Sequence, residues 1–234
     1  MIAVAALALA LAAGPELWPR TLDRIEVKGP SWTKERVVLR ELPFAAGDLV
    51  TREQWDLGLA RLWNTGIFSR VEGRVEARDG LTVAVLRLEE RISLNPLVSF
   101  GVGGGAWWFR VGATDNNFLG TFLEWGARYE RFDVFNGAQA WVREPRLFNR
   151  RLDALAQFDF LIRPRPEYVR RRLAGLLELS GELDDRTRLT GHAEVFRDAY
   201  FAPRLGEPRV PSDLTAAVGA LTLSLGRVDI ERMR

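Results

Sequence analysis

The 234-residue chain contains no cysteine. Disulfide frameworks, thiolate zinc sites and iron–sulfur clusters are therefore excluded, and the absence fits an oxidising compartment without requiring one. Lysine is nearly missing as well, with only Lys28 and Lys34, so arginine supplies the rest of the 33 basic side chains. Set against 31 acidic residues these leave a formal charge of +2. The arginines are scattered and form no stripe, which disfavours a dedicated nucleic-acid binder despite a sequence pI near 9.4. A hydrophobic fraction of 47% excludes wholesale disorder, and the length allows one or two domains with a sizeable core.

One long hydrophobic run is present. Met1 to Gly14 (MIAVAALALALAAG) carries no charge and no polar side chain. As a helix it would reach about 21 Å, short of the roughly 30 Å hydrocarbon core of a bilayer. It reads as the apolar part of a signal peptide, assigned to residues 1–19, with Ala12, Ala13 and Gly14 suited to cleavage. No Lys or Arg precedes the run, which a signal peptide would ordinarily have. A buried N-terminal helix is the alternative.

From Leu17 to Glu90 the pattern is that of a small α+β unit. Thr21 to Lys28 alternates and stops at Gly29-Pro30, a strand and a turn. Thr33 opens a short helical stretch with Val38 and Leu42 at i, i+4, closed by Pro43. Thr51 and Gln54 have the spacing of a capping box. Trp55, Leu59, Leu62 and Trp63 then fall on one helical face, and Gly66 stands where a helix ends in the left-handed conformation. Arg70–Ala77 and Leu81–Leu88 alternate around Asp79-Gly80, a hairpin dipeptide. The order is β-α-α-β-β, with a core expected to include Val38, Leu42, Trp55, Leu59, Leu62 and Phe68.

That order, with F-x-x-G-D-x-V-T (Phe44 to Thr51) and L-x-N-T-G-I-F (Leu62 to Phe68), resembles a polypeptide-transport-associated (POTRA) domain, assigned to residues 20–91. A helix pair would cover one face of a small sheet, leaving one sheet edge free to accept an extended peptide. An ordinary α+β domain with no peptide-binding role is the alternative.

From Arg91 onward helical periodicity vanishes. Leu123, Trp125, Ala127 and Tyr129 alternate with polar neighbours, as do Ala156, Phe158, Phe160 and Ile162, and Leu173, Leu177 and Leu179 share a face in the next run. Eight strands fit, at 96–104, 106–115, 121–132, 135–144, 151–163, 168–182, 186–198 and 214–226. They exceed the usual five or six residues and suit tilted strands crossing a bilayer, one face to lipid and one to a lumen. Lipid-facing positions would be Leu123, Trp125, Tyr129, Phe158, Phe160 and Leu177. Asn116-Asn117, Glu144–Asn149 and Asp184-Asp185 read as tight turns, and 163–170 and 201–213 as longer loops on the other side. Trp107, Trp108, Phe118, Phe132, Phe148, Tyr168, Tyr200 and Phe201 would form interfacial girdles. A soluble sandwich would prefer shorter strands with fewer charges inside.

Four motifs in order, Glu89–Pro96 (EERISLNP), Phe100–Gly105 (FGVGGG), Gly112–Gly120 (GATDNNFLG) and Arg143–Phe148 (REPRLF), resemble the passage from the last POTRA domain into the barrel of the BamA/TamA outer-membrane family. The resemblance runs from about Leu22 to the C-terminus. It implies an α+β POTRA domain followed by an all-β antiparallel transmembrane barrel, here residues 92–234. It also implies a periplasmic POTRA domain, a barrel in the bacterial outer membrane, and a role in assembling outer-membrane proteins or moving polypeptides. The partners implied are outer-membrane lipid, unfolded outer-membrane or secreted polypeptides, and periplasmic or lipoprotein assembly factors. No cofactor is implied. The family barrel has sixteen strands, so the resemblance further implies that this chain is C-terminally truncated and carries the first half. A passive porin-like or structural barrel with a partner-binding periplasmic domain is the alternative, and a soluble periplasmic enzyme a third reading.

Nothing in the sequence assembles catalytic or metal-binding chemistry. Phe100–Gly105 is glycine-rich but is followed by Trp107-Trp108 and further alternation rather than a helix, so it is not a phosphate loop. His192, the one histidine, sits on a polar strand face and reads as lumenal. Asp115, Asp184 and Asp185 suit turn chemistry, and Glu124, Glu130, Asp159 and Arg128 suit charge networks in a lumen. The protein is expected not to be an enzyme.

Overall fold

A computed structural model describes residues 18–103, 105–184, 187–202 and 210–225. All but the last two positions of the expected signal peptide lie outside the described residues. The chain divides between Arg91 and Ile92 into two compact units.

In the first unit, Thr51 fixes the start of the longer helix. Its backbone N–H donates to Gln54 Oε1 at 2.9 Å while its Oγ1 accepts from Gln54 N at 3.3 Å, the reciprocal cap that the spacing predicts. The elements are β1 (Arg20–Thr21), β2 (Arg24–Lys28), α1 (Glu35–Leu39), β3 (Leu49–Val50), α2 (Arg52–Asn64), β4 (Phe68–Arg78) and β5 (Leu81–Glu90). Asp79 and Gly80 both have positive φ, 53° and 80°, the two-residue geometry that matches strand twist and turns β4 into β5. In the resulting sheet β5 is central, parallel to β2 and antiparallel to β4.

The expected strand 21–28 is broken. Leu22 turns inward to complete burial, and β1 pairs with β3 in a separate two-stranded ladder. The first helix also differs, because Lys34 and not Thr33 is its N-cap and it ends at Leu39, short of Pro43. Leu22, Val38, Leu62, Phe68, Ala84 and Leu86 are almost fully buried, each large side chain contributing about 1.5–3 kcal/mol. Gly73 lets α2 approach the sheet: a Cβ there would lie 2.6 Å from the Trp55 ring and 2.7 Å from Leu59.

The second unit is one sheet of β6 (Leu94–Gly103), β7 (Ala106–Phe118), β8 (Leu123–Phe132), β9 (Phe135–Glu144), β10 (Leu152–Pro164), β11 (Val169–Asp184), β12 (Thr187–Phe201) and β13 (Leu214–Leu225). Each strand pairs antiparallel with its chain neighbour, in sequence order. At about 3.3 Å per residue even the ten-residue strands reach about 33 Å. None of the described helices is long and apolar enough to cross a membrane, which says nothing about strands.

The connections depart from the sequence reading. Asn116-Asn117 is not a turn: β7 runs on to Phe118 and the chain reverses over Leu119–Phe122, where Leu119, Gly120 and Phe122 have positive φ. Asn117 shapes the reversal from within the strand. Asn117 N donates to Asp115 Oδ1 and Asn117 Oδ1 accepts from Phe122 N, both at 2.9 Å. Short and long connections are also not sorted by end. At the end where β6 finishes, two residues separate β6 from β7 and two separate β8 from β9, beside twelve between β12 and β13. Asp185 of the expected Asp184-Asp185 turn, and residues 203–209 of the expected long loop, lie outside the described residues.

Candidate functional surfaces

Strand register sorts the second unit into two faces. Because side chains alternate and directly paired residues share a face, the pairing joins Val98, Val111, Tyr129, Ala138, Phe160, Leu173 and Arg197 along one rung. Leu123, Trp125, Phe158 and Leu177 lie on the same face, so the six positions expected to meet lipid stand together on it. Many of its large side chains are open: Phe100 is 82% exposed, Val102 84%, Leu177 63% and Leu221 75%. Contiguous apolar surface on this scale is rare on soluble monomers and marks a face that meets a partner or a membrane.

The opposite face carries the charges. Arg110 pairs with Glu130 at 3.1 Å, and Arg143 with Asp153 at 2.6 Å. Arg170 and Arg172 both hold Asp198, whose carboxylate accepts three bonds at 2.8 Å while only 2% of the residue is exposed. Glu124 accepts from the Trp141 indole at 2.8 Å, and Asp159 from Gln139 and Gln157. His192 Nδ1 stands 4.0 Å from Glu178 on this face. Of the expected network, Glu124, Glu130 and Asp159 take part in these contacts and Arg128 does not.

Glycines on this face act as seats for indole rings. A Cβ on Gly126 would fall 2.1 Å from Trp141, its register partner, and one on Gly101 would fall 2.8 Å from Trp108. The girdle reading needs correction here. Trp107 and Phe201 lie on the apolar face, whereas Trp108, Phe132 and Tyr200 turn to the charged one, because their register places them there. Trp108, Phe132 and Phe135 line a cavity of about 500 Å³ with Arg110, Glu130 and Arg163.

The sheet has two outer strands, β6 and β13, and among the described residues neither has a partner on its outer side. Neither strand contains a charged residue. In the first unit both β2 and β4 are sheet edges, where the sequence reading expected one, because β5 takes the centre. The face of β4 opposite α2 carries Arg70, Glu72, Arg74, Glu76 and Arg78. Arg78 reaches across to Glu26 of β2 at 3.1 Å and so roofs Val83 and Val85, which are 3% and 0% exposed.

Of the residues expected in this core, Val38, Leu42, Trp55, Leu62 and Phe68 are buried and Leu59 is half-buried. Trp63, read as part of the same helical face, is 49% exposed. Sequence reasoning missed Glu90. Its carboxylate accepts from the backbone N–H groups of Ser31, Trp32 and Thr33, which explains why Thr33 itself does not cap α1. Burial alone would push the Glu90 carboxyl up, but the Thr33 side chain and these N–H groups outweigh it and hold the pKa down to about 2. The only sequence signal was an acidic residue at the end of β5, which is uninformative by itself.

Both units therefore define a class: a small helix-covered α+β domain chained to an up-and-down antiparallel sheet with one apolar face. Comparison with known proteins is more specific. Residues 21–91 match the POTRA family, described as surface antigen variable number repeat. Among solved structures the chain is similar to BamA from Haemophilus ducreyi lacking POTRA domains 1–3 (TM-score 0.69, 17% identity, covering 90% of this chain and 44% of that one). It is similar too to CdiB from Escherichia coli (0.58, 16%, 88% and 42%) and from Acinetobacter baumannii (0.55, 16%, 78% and 38%). No curated protein matches by sequence. Residues 21–91 are a POTRA domain, and the chain has the POTRA-plus-β-barrel fold of BamA and CdiB over less than half of their length.

Proposed function

We propose that the chain is an outer-membrane protein, its POTRA domain in the periplasm, that takes part in assembling outer-membrane proteins or translocating polypeptides. The observation that carries this reading is β6: ten residues long, uncharged, at the edge of a sheet with one largely apolar face. Soluble proteins blunt such edges with charges or short strands, as β4 does with its arginines and glutamates. Beyond Pro96, which lacks an N–H, the edge from Leu97 to Gly103 offers a row of backbone donors and acceptors to an incoming strand. Pairing there satisfies the substrate's polar backbone while its apolar side chains enter lipid, so no covalent bond is made or broken and no cofactor is called for. The opposite POTRA edge, β2, offers a second place for extended substrate in the periplasm.

Because the chain has no cysteine, single cysteines report pairing cleanly. A Ser99→Cys variant in phosphatidylcholine vesicles is mixed with an unfolded outer-membrane barrel protein carrying one cysteine walked along its last strand. Cross-links at alternate substrate positions, with faster substrate folding than in empty vesicles, are the expected result. Faster folding without cross-links, or cross-links equal to those of Ala220→Cys on β13, would remove β6 as the acceptor. No acceleration at all would favour a passive barrel.

A further inference from the structure

The apolar face is not uniformly apolar, and its charges are sorted by sign and by end. Through the register, the charged side chains on it among the described residues are Asp115 and Glu144 at the end where β6 begins, and Arg131, Arg171 and Arg197 toward the other. Arg131 and Arg171 occupy one rung, joined through Asn136 and Ile162, and Arg197 sits one rung further in.

Two of the three stand over aromatic rings of the same face. The Arg131 guanidinium is 5.0 Å from the centre of Trp107, and that of Arg171 is 4.5 Å from Phe201. Arg131 spends its Nε on the Asp133 carbonyl at 3.1 Å, and Arg197 stands 3.6 Å from Asp213 with a side chain 66% exposed. No ion pair within the described residues holds Arg131 or Arg171, in contrast to Arg110, Arg143, Arg170 and Arg172 on the charged face.

We propose that Arg131, Arg171 and Arg197, gathered at one rim of the apolar face, bind the anionic phosphates of membrane-lipid headgroups. The proposal rests on the reading of that face as lipid-facing. An arginine in mid-bilayer costs about 2–4 kcal/mol but little at the interface, so three on an otherwise apolar face mark the headgroup level. Guanidinium groups suit phosphate because their planar forks bind it bidentately, and ring stacking presets their orientation. The acidic residues at the other rim would repel the same groups, so the sorting also orients the sheet in a membrane whose leaflets differ in charge.

The test uses the 234-residue chain in phosphatidylcholine vesicles, with energy transfer from tryptophan to a labelled bis-phosphorylated lipid A and, in parallel, to the same lipid without its phosphates. Each arginine near an anionic surface is worth about fivefold in affinity. The wild type should therefore prefer the phosphorylated lipid by tenfold or more, and added salt should weaken that preference. The R131Q/R171Q/R197Q variant should bring the ratio to about one, and the corresponding lysine variant should keep most of it. A wild-type ratio near one, or an unchanged ratio in the glutamine variant, overturns the proposal. Should the glutamine variant fail to insert, the wild-type ratio and the lysine variant decide. Complete displacement by inorganic phosphate would make the band a general anion site and overturn the lipid assignment. Failure of the wild type to insert into any vesicle overturns the lipid-facing reading itself, a result separable from loss of phosphate preference in an inserted protein.

Discussion

The POTRA domain and the long sheet use the same alternating strands to opposite ends. In the first, Val83, Val85 on one side and Ala84, Leu86, Leu88 on the other side of β5 are all buried, by arginine and glutamate stems on one face and helices on the other. In the second, Phe100, Val102, Phe158 and Leu177 are exposed although they alternate as regularly. Alternation therefore does not define inside. What differs is the second layer: helices and charged side chains close the POTRA sheet, while nothing among the described residues covers the apolar face of β6–β13. One unit carries its own core, and the other, on the reading proposed above, takes lipid as its second layer.

The contrast can be broken most severely at its packed end. Leu62→Ala empties a fully buried site and should cost about 2–5 kcal/mol, seen as rapid proteolysis between residues 20 and 91 while the β6–β13 region stays resistant. Equal loss of resistance in both regions would mean that the two do not fold independently. At the lipid end, Phe158→Arg in the middle of β10 should lower stability in vesicles by about 2–4 kcal/mol by urea titration, against little for Gln157→Arg beside it on the charged face. Similar losses at both positions would argue for water on both faces.

Acid sharpens the comparison, because Glu90 belongs to the POTRA domain alone. Its folded pKa, about 2, lies below the ordinary 4.5, so its contribution is complete above about pH 4.5 and is lost as pH falls toward 2. The loss should be about 2 kcal/mol, discounted for partial exposure, and Glu90→Gln should flatten it. A Glu90→Gln profile that parallels the wild type between pH 4.5 and 2 would assign the acid transition to other carboxyls. The smallest effect concerns the helix cap. Thr51→Ala removes the acceptor for Gln54 N and should cost about 1 kcal/mol in POTRA unfolding.

Much of this was legible because local chemistry decides it. The capping box at Thr51 and Gln54, the Asp79-Gly80 hairpin and the span of each long strand follow from backbone preferences and side-chain period. The alternation likewise put Leu123, Trp125, Tyr129, Phe158, Phe160 and Leu177 on common strand faces before any pairing was known. The errors share a different origin. Asn116-Asn117 looked like a turn, but asparagine serves a turn from within a strand as readily as at its tip, and the side chain of Asn117 braces a reversal two residues later. Trp108, Phe132 and Tyr200 looked like girdle residues because position along a strand is visible in sequence and the face is fixed by register. Trp63 fell on the helical stripe yet is 49% exposed, because a helical period gives the face and tertiary packing decides how much of it is covered.

The sequence by itself determined the longer helix with its cap, the Asp79-Gly80 hairpin and the two-faced character of each long strand, since all of these are periodicities or local bonds. Only the tertiary structure decided that β5 is central with edges on both sides, and that Glu90 closes the loop before α1. It also decided that three arginines from β8, β11 and β12 gather at one rim. Those are meetings between residues far apart in the chain, and strand register, which sets them, depends on the sum of all cross-strand contacts rather than on any one segment.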